Sequence, residues 1–300
     1  MILSNNNLSV LPFYTSIGQQ NARKWWVYNR VYPFYANASY ILPFQIMWND
    51  FPTLPNQFLA ELYKPDGTFV SRLSDLEQQI KVANYNNEMG IAVIYYIGAL
   101  PLVNPLPIGQ YYIKLIATAP SPYPRTYVFY SEIFTSVMDL SGYVKIEWWD
   151  KRDFVMDGGV IVYNNNGNIF KNILYLESDI AKPEYLFTEE QEDRDGFSFP
   201  VKQISEKKYR FSFLASEYLL DVMRFIRMSD YINIYYNGQA YTPDSFLITP
   251  EWEDNGDVAV VKAEFETATV AKKIGWGYSR AEGAGDFNND FNDDYDVRTN

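Results

Sequence analysis

Apolar residues along this chain recur mostly at every second position, in short runs closed by Gly, Pro, Asn or Asp. That is the period of half-buried β-strands. From Ile41 to Val137 the runs predict strands at Ile41 to Trp48, Phe58 to Tyr63, Ile91 to Ile97, Gln110 to Thr118 and Thr126 to Thr135. Pro65-Asp66-Gly67 closes the second with turn chemistry. Ile91 to Ile97 is continuously apolar, which suits a strand buried on both faces. No helix is read in this block, and its spacing predicts an Ig-like β-sandwich over residues 41–137.

Residues 138–278 read as a second, β-rich α+β domain. Val144, Ile146 and Trp148 fall on one face of a strand from Tyr143 to Trp149. Glu189 to Gly196 reads as an acidic loop. A helix is predicted over 217–228, with Ser216 as N-cap, Glu217 in the first turn and Arg224 and Arg227 near the end. Tyr231 to Tyr236, Asn237-Gly238 and Gln239 to Ile248 form the strongest hairpin signal in the chain.

The two ends of the chain break the pattern. Residues 1–40 hold aromatic clusters interrupted by proline, among them Trp25, Trp26, Tyr32 and Phe34. They read either as edge strands that cover a core or as an arm that reaches a neighbouring subunit. Residues 279–300 read as a disordered acidic tail, since from Gly277 onward six acids stand against two arginines. Asp286, Asn288, Asp290, Asn292 and Asp294 alternate like the first ligands of an EF-hand, but Phe291 stands where the turn needs Gly and Val297 where Glu is needed. No specific calcium site is expected. Phe287, Phe291 and Tyr295 are four residues apart, so a transient helix would align them as a docking face.

Composition changes the functional reading more than the structural one. The 300 residues include no histidine and no cysteine, against 26 Tyr, 20 Phe and 7 Trp. Ser–His–Asp and Cys–His catalysis, zinc fingers and disulfides are therefore excluded. No metal, cofactor or catalytic residue is assigned, and the chain is expected not to be an enzyme. The net charge of −12 argues against nucleic-acid binding. No run of apolar residues suits a membrane span, and the Asn-rich start has no signal-peptide pattern. The aromatic surplus fits contact surface. The candidate assembly contacts are Trp25, Trp26, Tyr32, Phe34, Phe287, Phe291 and Tyr295. Two other readings stand beside assembly. A surface row of Trp or Tyr could stack on a glycan in a receptor-binding module. A carboxylate pair among the 37 acids could hydrolyse a polysaccharide.

Several stretches carry a family resemblance. They are Val31-Tyr32-Pro33 with Leu42-Pro43-Phe44-Gln45-Ile46, Tyr143 to Asp150, and Gln191 to Arg210 leading into Tyr218 to Met228. Thr249-Pro250-Glu251-Trp252, Ala263 to Thr267 and the Asp-Phe-Asn-Asn-Asp-Phe tail complete the set. Together they resemble a family of virion- and tail-associated proteins of bacteriophages and prophages of gut Bacteroidetes. The resemblance implies a virion component made in the host cytoplasm. It would act as a tail ring, hub, adaptor or fibre-attachment subunit, with other tail proteins and its own copies as partners. It implies no catalytic residues.

Overall fold

The structure, a computed structural model, describes residues 9–20, 34–48, 54–86, 91–98, 100–120, 124–156, 159–165, 167–194, 196–252, 258–267 and 271–274. It is mainly β, built from several sheets with little helix. Contacts group the described residues into two compact units. Unit one draws on Met1–Ile180, Phe211–Tyr241 and Leu247–Ala263; unit two draws on Ala181–Arg210, Thr242–Phe246 and Glu264–Asn300.

Gly109–Ala119 is the hub of unit one. Its alternating sequence buries Ile113, Leu115, Ala117 and Ala119 completely. Gln57–Tyr63 pairs with it antiparallel on one side; Arg125–Ser131 and Phe134–Val137 pair on the other. Gly109 opens the strand at φ +145°, and a Cβ there would lie 2.9 Å from Tyr111 Oη, so glycine is required. Phe13–Tyr14 and Tyr35–Asn37 lie at the two ends of this seven-stranded sheet. Those residues of the N-terminal stretch are thus edge strands.

A three-stranded sheet orders Phe44–Trp48, Ile91–Tyr96 and Lys81–Asn86. The continuously apolar Ile91–Tyr96 is its central strand, and Ala92 to Tyr96 are all buried. The two sheets touch where the Phe13 and Phe44 rings lie 4.5 Å apart, giving the sandwich character expected. A four-stranded sheet orders Asn172–Leu176, Val144–Trp149, Tyr231–Tyr236 and Gln239–Tyr241. Asn237 and Gly238, at φ 47° and 75°, make its tight turn.

The boundary expected after Val137 falls inside unit one. Met47, Ala83, Val93 and Tyr95 share one apolar cluster with Val162 from beyond that boundary. Gln45 is 1% exposed, and its side chain both accepts from Val162 N at 3.1 Å and donates to Val162 O. A buried side-chain amide so placed acts as a pseudo-backbone partner, and it ties Val162, from the second expected domain, into the body of unit one.

Three local expectations change as well. Thr126 to Thr135 is two strands, because Glu132 and Ile133 break the ladder between Ser131 and Phe134. A short helix, α1 (Ser74–Gln79), stands where no helix was expected. It buries only Leu76, so its six residues carry too little periodicity to be read. The helix expected over 217–228 ends sooner. α2 spans Glu217–Met223, and Ser216 Oγ caps it by accepting from Leu219 N at 3.3 Å. Phe225 N then bonds back three residues to Val222 O, and a 3₁₀ turn covers Ile226–Met228.

Unit two is dominated by a β-ribbon. The strand Glu184–Arg194 pairs antiparallel with the first part of Phe197–Ser216, from Glu184↔Lys208 to Arg194↔Phe197, with a bulge at Glu190/Gln191. Glycine at the tip, Gly196, has φ +83°. The expected acidic loop is therefore largely strand. Ala271–Ile274 flanks the same long strand over Lys202–Ser205. None of the described residues of 181–210 is buried. The buried residues of this unit, among those described, are Phe246, Phe265 and Thr267. No helix among the described residues is long and apolar enough to cross a membrane.

Candidate interaction surface

The ribbon is the feature that ordinary folding rules explain least. An antiparallel pair normally buries one face, and an isolated two-stranded hairpin is marginal in water. Here a strand of 11 residues at the edge of its sheet pairs along its whole length, and none of its described side chains is buried. Tyr185, Phe187 and Phe197 are instead 70%, 65% and 68% exposed. Tyr185 and Phe187 share one face by strand alternation.

Polar cross-strand contacts hold the ribbon. Lys202 Nζ lies 3.3 Å from Glu190 Oε1, and Lys207 Nζ sits 5.6 Å from the centre of the Tyr185 ring directly opposite. Hydrogen bonds from Gln191 and Gln203 hold the Glu189 carboxyl below its ordinary pKa. At the base, Glu264 receives Lys208 at 2.6 Å and Arg210 at 2.7 Å, and these bonds lower its pKa too. Exposed pairs of this kind contribute about 0–1 kcal/mol each. They fix the register, and the Tyr185, Phe187 and Phe197 rings stay largely exposed beside them.

A second aromatic patch belongs to unit one. In the Trp148–Trp149 pair, Trp148 is fully buried and Trp149 half-buried, as strand alternation requires. The Trp149 and Tyr231 rings stack at 4.9 Å, 11° from parallel. Lys171 Nζ lies 4.2 Å from the Trp149 ring centre and Lys151 Nζ 5.2 Å from that of Tyr231. A gap between rings that close has no room for an ammonium, so Lys171 covers the face of Trp149 that Tyr231 leaves open. A sugar needs such an open face to stack on.

Carboxylates near this patch are engaged by backbone donors. Asp150 accepts from Arg152 N at 2.9 Å and from Asp230 N at 3.3 Å, while Asp230 accepts from Lys151 N at 3.2 Å. They close two adjoining turns in reciprocal fashion.

Among the described residues, the most deeply buried carboxylate is Glu132, 1% exposed. Its Oε2 accepts from Tyr14 Oη at 3.1 Å and its Oε1 from Ile133 N at 3.0 Å. Nearby, Tyr218 Oη donates to Ser9 O at 2.8 Å, and Gln20 Nε2 donates to Ser131 O. Burial, reinforced by the Glu132 charge, pushes the Tyr14 and Tyr218 phenols far above their ordinary values. Both phenols stay protonated and act as fixed donors. Their proton affinity is mismatched to acid–base work near neutral pH. The cluster binds the edge strand Phe13–Tyr14 to the body. Among the described residues, no three His, Cys, Asp or Glu come together as a group that could hold a metal.

The expected contact residues divide. Trp25, Trp26, Tyr32, Phe287, Phe291 and Tyr295 lie outside the described residues. Phe34 is corrected: it is 3% exposed, with its ring 6.4 Å from that of Tyr218, so it belongs to the core and offers no surface. The exposed rings of the ribbon were not anticipated. The available signal was the stretch from Thr188 to Arg194, which has strand-like neighbours but no apolar residue to form an inward row. No family model, curated protein or solved structure matches this chain.

Proposed function

We propose that this protein is a structural subunit of a tailed-phage virion that works by protein–protein assembly, not by turnover. Within the tail it would serve as a ring, hub, adaptor or fibre-attachment subunit, beside other tail proteins and its own copies. The observation that carries this reading is the ribbon: paired strands none of whose described side chains is buried, with three large rings exposed. Burying each ring against a partner is worth about 1.5–3 kcal/mol, and subunits of assemblies gain much of their stability from such contacts. The family resemblance of the sequence and the lack of histidine and cysteine support the same reading.

Trp25, Trp26 and Tyr32 near the N-terminus, and Phe287, Phe291 and Tyr295 near the C-terminus, are further proposed contacts. The test is a protein inventory of purified particles followed by placement of the chain in an electron-microscopy map. The chain should occur at a fixed copy number with the ribbon covered. A soluble protein absent from the particle would end the proposal.

A further inference from the structure

In unit two, three strands lie side by side where Lys202–Ser205 is flanked by Phe187–Glu190 and by Ala271–Ile274. Among the described residues, no strand pairs with the outer side of either flanking strand. Each outer side therefore presents, among the described residues, a row of backbone donors and acceptors with no paired strand. The two edges differ in charge. Glu184–Arg194 carries Glu184, Glu189, Glu190, Glu192 and Asp193 against Arg194. Ala271–Ile274 carries Lys272 and Lys273 and no acid.

Lysines on an edge strand ordinarily deter pairing with neutral or basic strands. Against an acidic strand they favour it, because opposite charges across a pair are stabilising and like charges are not. The same logic rejects a two-fold contact of the acidic edge with itself, which would set acid against acid. It also gives the acidic edge a partner already present in every copy of the chain.

We propose that this sheet continues from one copy of the chain to the next, with the acidic edge strand of one copy pairing with Ala271–Ile274 of its neighbour. The inference rests on the assembly reading above and names the partner and the mode of contact. Both flanking strands run antiparallel to the central one, so they are parallel to each other. Copies related by rotation alone would thus join through a parallel pair. Such a head-to-tail contact leaves one acidic and one basic edge free at the ends. It closes into a ring or extends as a filament, according to the rotation per copy. Phe187, on the acidic edge strand and 65% exposed, lies where the neighbour would cover it.

The test is sedimentation velocity of the full chain over a range of concentration and salt, with charge-reversed edges. The double change Lys272→Glu, Lys273→Glu makes both edges acidic. The double change Glu189→Lys, Glu190→Lys makes the Phe187–Glu190 stretch beside Lys202–Ser205 basic, like the opposite edge. Wild-type chain should self-associate, and more weakly as salt rises. Each variant alone should associate at least about tenfold more weakly. A mixture of the two, or one chain carrying all four changes, should regain association. Circular dichroism checks that each variant is folded; the lysine variant leaves the acidic strand and its bond to Lys202 intact. A wild-type chain that stays monomeric overturns the proposal, as do variants that associate as tightly as wild type. In either case a chain still found in purified particles leaves the assembly reading standing; a chain absent from them removes that reading separately.

Discussion

The body of unit one and the ribbon of unit two use the same backbone geometry toward opposite ends. In Gly109–Ala119 alternate residues are apolar and vanish into the core, with Ile113 and Leu115 fully buried. In Glu184–Arg194 the pairing runs the whole length of the strand with a single bulge, yet none of its described side chains is buried. Pairing alone does not stabilise a sheet; burial of one face does. A long paired segment without that face lacks its main stabilising term within the monomer. The missing term is expected from a neighbour.

The sharpest way to break this comparison is to remove one aromatic ring from each region. Trp148→Ala, in the body, should cost about 3–5 kcal/mol and lower Tm by many degrees. Phe187→Ser, in the ribbon, should cost within about 0.5 kcal/mol in the isolated chain. Paired thermal melts decide it. A large loss at Phe187 would mean the ribbon already has a covered face.

The buried cluster gives an intermediate effect with a pH signature. Tyr14→Phe leaves the buried Glu132 carboxylate without its phenol donor and should cost about 1–3 kcal/mol at neutral pH. Because folding raises the pKa of Tyr14 and Tyr218 above the ordinary 10.0, the protonated phenols favour the fold. Their contribution is complete below pH 10 and is lost as pH rises beyond it. Alkaline titration of stability should therefore show a steep fall above pH 10. That fall should be shallower in Tyr14→Phe.

A smaller effect is expected at the helix. Ser216→Ala removes the acceptor for Leu219 N and should cost about 1 kcal/mol, read as a shift in denaturant midpoint without change of slope.

What could be read from sequence follows this division. The Asn237-Gly238 turn, the Ser216 cap and the central strand Ile91–Tyr96, buried over Ala92 to Tyr96, were legible, because each depends on residues adjacent in the chain. Two features were illegible, for different reasons. Glu189 to Gly196 reads as a loop because its strand, paired with Phe197–Gln203, has no apolar row to mark it. The unity of the body rests on Gln45 meeting Val162 across 117 residues of chain. Phe34 shows the reverse error. Its proline-broken surroundings suggest an exposed arm, while its ring is packed near Tyr218.

The central claim is that the ribbon serves assembly and not the stability of the single chain. The most direct measurement replaces Tyr185, Phe187 and Phe197 together by Ser in a complementation assay, then compares the amount of this chain in purified particles with wild type. The triple variant should fold, with a Tm close to wild type, and be lost from the particle. Incorporation at the wild-type level would contradict the account.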